Sequence, residues 1–105
     1  MRVEVLGCDM RQRVALITGS GKRIGAATAS LLLSEGWFVF LHVRNSLDEA
    51  QTILQDFHDK HGVPPAAEIL QADLNSDEEI SSLIDTVLRH EIVENNGGLH
   101  ALVHN

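Results

Sequence analysis

Residues 13–25, RVALITGSGKRIG, run from an apolar stretch through a glycine turn into a helical pattern. Arg13 to Thr18 (RVALIT) is a short apolar run that stops at Gly19. From Ile24 the spacing predicts a helix, with Ile24, Ala27 and Leu31 on one face, Leu32 beside them, and Gly36 as its C-terminal cap. A strand that feeds a helix through a tight turn leaves free N–H groups and the positive end of the helix dipole at the turn, and both attract an anion. Lys22 and Arg23 add full charges to that site.

The pattern repeats downstream. Trp37 to Val43 (WFVFLHV) is almost unbroken apolar sequence, as suits a strand covered on both faces of a parallel sheet. Ser46-Leu47-Asp48-Glu49 has capping-box spacing, followed by a helical stripe of Ala50, Ile53, Leu54 and Phe57 that ends at Gly62 and Pro64-Pro65. Glu68 to Ala72 reads as a third strand. Ser76-Asp77-Glu78-Glu79 is a second capping box, before Ile80, Leu83, Ile84, Val87 and Leu88 at helical spacing. Asn95 to Gly98 is a turn, and Leu99 to His104 a fourth strand. The order β-α-β-α-β-α-β with short links demands an α/β parallel sheet with right-handed crossovers. The reading divides the chain into a polar lead-in, 1–12, and one unit, 13–105. It also leaves the fourth strand with an open edge, so the chain reads as the truncated first half of a doubly wound domain.

Composition narrows the function classes. The chain has 105 residues, 44% apolar and 22% charged, with a net charge of −7. That balance argues against a nucleic-acid or anionic-membrane surface as a partner. A single cysteine, Cys8, builds no disulfide framework, and the N-terminus lacks a signal-peptide core, so the expected location is cytoplasmic. No metal site is expected. His58 and His61 lie one helical turn apart without a third ligand, and His90, His100 and His104 have no ligand spacing.

In a parallel sheet of this kind, ligands sit beyond the carboxyl ends of the strands. A Walker A loop is excluded there, because Leu16 stands at the first glycine position and Arg23 replaces the required Ser or Thr. The dinucleotide pattern GxGxxG misses by one residue, its third glycine falling at Gly25. What the stretch resembles is the TGxxxGxG signature of the short-chain dehydrogenase/reductase family, in a variant reading Thr18-Gly19-x-x-x-Arg23-Ile24-Gly25. With Lys22 before Arg23, it looks like the pteridine reductase and dihydromonapterin reductase type.

The resemblance covers residues 13 to 105 and implies a Rossmann-type fold with NADPH as cofactor. It assigns Gly19, Lys22, Arg23, Ile24 and Gly25 to the cofactor's phosphate loop. At the second strand end, His42-Val43-Arg44-Asn45-Ser46 has no acid before Asp48 to select a ribose hydroxyl. The resemblance implies instead that Arg23, Arg44, Asn45 and Ser46 surround a 2′-phosphate, with Val43 beside it. A guanidinium can meet that group bidentately. Asp73 would accept a hydrogen bond from the adenine amino group, and Leu74 would pack near the ring. Val103-His104-Asn105 resembles the start of the family's NNAG motif, with Asn105 approaching the ribose. His104 departs from that motif.

The family's chemistry also uses a Ser and a Tyr-x-x-x-Lys, and this sequence contains no tyrosine. The resemblance therefore implies the NADPH-binding portion of an oxidoreductase that passes hydride to a pterin, a dihydropterin or a related carbonyl or imine. When complete, such an enzyme would be a homo-oligomer, a dimer or tetramer. The 105 residues alone are expected to be inactive. The alternative from another class is a naturally short, non-catalytic nucleotide-binding or interaction module.

Overall fold

The computed structural model describes residues 2–5, 12–19 and 23–104. For 2–5, 23 and 24 it describes the backbone alone. Five strands, β1 (Arg2–Val5), β2 (Val14–Ile17), β3 (Phe38–Val43), β4 (Ala67–Gln71) and β5 (Ala101–His104), form one sheet in the order β1-β5-β2-β3-β4. Between them lie the helices α1 (Arg23–Ser34), α2 (Leu47–His61), α3 (Asp77–Arg89) and α4 (Glu91–Asn95). The four strands β4-β3-β2-β5 are mutually parallel, giving the doubly wound α/β architecture that the sequence predicts.

The winding reverses once. The chain moves outward from β2 to β3 to β4, then returns through α3 and α4 to place β5 on the other side of β2. This reversal sets the turn after β2 at the switch point, where such sheets open a ligand crevice.

Alternation along β3 divides the core into two layers. Val39 and Leu41 join Ile17 and Val103 under α1 and α2, against Ala29, Leu33, Ile53, Leu54 and Phe57. Phe40 joins Val14 and Leu16 on the opposite face, under Leu83 and Val87 of α3 and Val93 of α4. The near-continuous apolar reading of WFVFLHV follows from this double cover: Val39 through Val43 are all buried.

Several expectations are corrected. Arg2–Val5, read as part of a polar lead-in, is a strand. It pairs antiparallel with β5, Val3 opposite Val103, and covers the edge expected to be open. In α1 the buried face is Gly25, Ala29 and Leu33, whereas Ala27 is exposed and Leu31 is 57% exposed. That helix is apolar on several sides, so periodicity alone left its rotation undetermined. In α3, Leu83 and Val87 are buried but Ile84 and Leu88 face outward. A helical turn, α4, precedes the turn expected at Asn95 to Gly98, in a stretch for which no element was expected.

Candidate cofactor site at the strand carboxyl ends

The site begins at Thr18-Gly19. The Thr18 N–H donates to Val103 O at 2.9 Å, fixing the exit of β2 against β5. Gly19 then turns the chain at φ 65°, a left-handed conformation that costs glycine little. Its N–H donates to His42 Nδ1 at 3.2 Å. Lys22 and Asn105 lie outside the described residues. Arg23 and Ile24 open α1, their side chains likewise outside the description, and Gly25 is buried in that first turn.

The second wall comes from β3 and β4. Val43 is buried, while Arg44 and Asn45 emerge at the surface. Arg44 Nη2 pairs with Asp73 Oδ2 at 3.5 Å, their side chains 59% and 34% exposed. Asp73 is itself held in place: the Asn75 N–H donates to its Oδ1 at 2.9 Å, and its own N–H donates to Glu79 Oε1 at 3.1 Å. Gln71 Nε2 donates to Arg44 O at 3.0 Å, tying the two strand ends together. These groups line an open hollow of about 420 Å³ formed by Arg44, Asn45, Gln71, Ala72, Asp73 and Glu79. Leu74 sits just beyond it, 41% exposed.

The two capping boxes behave differently. Ser76 accepts a hydrogen bond from Glu79 N, whereas Ser46 makes no side-chain cap bond although it occupies the N-cap of α2. The expected reciprocal partner of Ser76, the Glu79 carboxylate, has turned to the Asp73 N–H.

Sequence reasoning missed Gln71, Glu79 and the role of His42. In the sequence, Glu79 reads only as a capping residue and His42 only as the start of the strand-end segment 42–46, because their partners depend on how the strands align. His58 and His61 are exposed on α2, and among the described residues no group of three or more His, Cys, Asp or Glu is placed to hold a metal ion. Nor is any described helix long and apolar enough to cross a membrane.

A doubly wound sheet with a glycine turn at its switch point and a polar hollow beside it defines a dinucleotide-binding type of α/β domain. Residues 13–105 match the family model of short chain dehydrogenase, and the chain belongs to that family. It is 38% identical over 96 residues to elsinochrome reductase 1 of Elsinoe fawcettii, covering 88% of this chain and 35% of that protein. A shorter match, 38% over 63 residues, links it to pteridine reductase 1 of Leishmania tarentolae, covering 60% of this chain and 21% of that one. Among solved structures, an actinorhodin polyketide ketoreductase with NADPH superposes with a TM-score of 0.69 at 32% identity, covering 90% of this chain and 33% of the other. FolM, an alternative dihydrofolate reductase from Brucella canis complexed with NADP, gives 0.60 at 33% identity over 72% and 28%. The chain spans about a third of the length of the reductases it matches over most of its own length.

Proposed function

We propose that residues 13–105 are the NADPH-binding part of a reductase. The observation that carries this reading is Arg44 at the mouth of the hollow, on a strand end that carries no acid before Asp48. A carboxylate in that place would repel a 2′-phosphate, and a guanidinium attracts it.

The residues present fit the cofactor. Arg44 meets Asp73 through Nη2, and a guanidinium carries five N–H donors in a fork, so phosphate binding does not require that pair to break. If it does break, an ion pair this exposed is worth at most about 1 kcal/mol. In this assignment Arg23, Asn45 and Ser46 join Arg44 around the 2′-phosphate, at the backbone end of the buried Val43. Gly19, Lys22, Ile24 and Gly25 form the phosphate turn. Asp73 accepts from the adenine amino group, Leu74 lies near the ring, and Asn105 approaches the ribose. Ser46 has a hydroxyl uncommitted to its helix cap, which suits a second role toward phosphate.

Bound there, NADPH would supply the hydride; this part of the protein binds and orients it. We assign the hydride acceptor to the pterins and dihydropterins, or to a related carbonyl or imine. The similarity to pteridine reductase 1 and to FolM supports the pterin choice, and the similarity to the polyketide ketoreductase supports a carbonyl. The complete enzyme is assigned to the cytoplasm as a homo-oligomer; the lone cysteine supports a reducing compartment.

Turnover in the family style needs a general acid near the reacting atom, a contribution of about 10²–10⁴-fold. With no tyrosine in the sequence, the 105 residues alone are expected to leave NADPH unoxidised. A protein extended to the length of its relatives should oxidise NADPH, followed by absorbance, with dihydrobiopterin or dihydromonapterin. Turnover of ketones alone would overturn the pterin choice.

A further inference from the structure

His42 lies inside an apolar strand, 3% exposed, with Val39, Phe40, Leu41 and Val43 around it in sequence. A buried imidazole needs partners for both nitrogens. Nδ1 accepts the N–H of Gly19, 23 residues earlier, at 3.2 Å. Nε2 lies 2.8 Å from the carbonyl oxygen of Ala72, 30 residues later. An amide N–H can only donate and a carbonyl can only accept. The two contacts together therefore select the neutral tautomer with its proton on Nε2.

Resting on the NADPH reading above, we propose that His42 is a positioning residue that clamps the phosphate turn to the adenine-side loop. Gly19 belongs to the turn assigned to the phosphates, and Ala72 precedes Asp73, assigned to adenine. The two loops approach from opposite neighbours of β3, and His42 is the side chain that bridges them. The Ala72 N–H donates to Val43 O at 3.0 Å, so the adenine-side loop is tied to β3 through both its N–H and its C=O. An apolar residue at 42 would leave a half-buried N–H and a carbonyl on a buried residue without these partners.

The test compares NADPH dissociation constants of the unchanged chain, His42→Asn and His42→Leu under identical salt and pH. In Asn the amide oxygen replaces Nδ1 as acceptor for Gly19, whereas Leu offers none. The expected result is near-equal binding by the unchanged chain and His42→Asn, with His42→Leu weaker by a factor of roughly 2 to 12, the worth of one hydrogen bond. Long-range ¹H–¹⁵N spectra of the free chain should show the Nε2–H tautomer. Binding by His42→Leu equal to that of the unchanged chain, loss of binding by His42→Asn, or an Nδ1–H tautomer would overturn the clamp alone. No NADPH binding by any of the three proteins would overturn the cofactor reading and the clamp with it. Should His42→Leu fail to fold, the affinity of His42→Asn and the tautomer still decide.

Discussion

Three side chains at the strand ends divide the work. Arg44 is exposed and charged, Asp73 is half-exposed and held by two backbone contacts, and His42, two residues before Arg44, is buried. The first two were legible from sequence as candidates, because charge at a strand end has few other uses. His42 was not, since its meaning depends on Gly19 and Ala72, which only the folded register brings near. Ser46 makes a sharper residue-scale case. Its spacing to Glu49 predicts a capping bond, yet the hydroxyl makes none. Ser46→Ala should therefore leave thermal stability nearly unchanged while weakening NADPH binding by the worth of one hydrogen bond to a charged group, about 1.5–3 kcal/mol. Titration calorimetry beside a melting curve separates the two effects. A large drop in melting temperature with unchanged affinity would reverse the assignment.

At the scale of elements, Ser76 is the counterpart. It does accept from Glu79 N at the start of α3, a helix whose buried Leu83 and Val87 form part of one core layer. Ser76→Ala should cost about 1 kcal/mol of stability, read from denaturant unfolding, and no measurable change would mean that the cap contributes nothing. The four parallel strands were legible to within one or two residues, most plainly β2 and β3, whose composition is forced by double burial. The rotation of α1 was not: with RIGAATASLLLS apolar on several sides, the stripe through Ala27 and Leu31 was as plausible as the one through Ala29 and Leu33. Packing against Ile17, Val39 and Leu41 decides it. Helix α4 and strand β1 escaped detection for a different reason. Each has four or five residues, too few for a period to register, and each takes its shape from a neighbour.

For the molecule as a whole, β1 changes what the sheet presents to solvent. By pairing with β5 it covers an edge that would otherwise expose unpaired N–H and C=O groups. The opposite edge, β4, is preceded by Pro64-Pro65 and carries Glu68 and Gln71, features that discourage another strand from joining. Deleting residues 1–5 should therefore promote association through β5, seen as a concentration-dependent rise in light scattering. A shortened chain that scatters like the full one would show that β1 does not protect that edge. The two faces, the covered edge and the switch point all serve to hold one polar hollow at the carboxyl ends of β3 and β4, and the central claim is that this hollow selects a phosphorylated dinucleotide. The direct measurement is the affinity of the unchanged chain for NADPH and for NADH under identical salt and pH, repeated with Arg44→Asp. The expected result is tighter NADPH binding by about tenfold or more, the worth of one charge-assisted contact, with the preference lost or reversed in the variant. Equal affinity of the unchanged chain for the two cofactors would contradict the account.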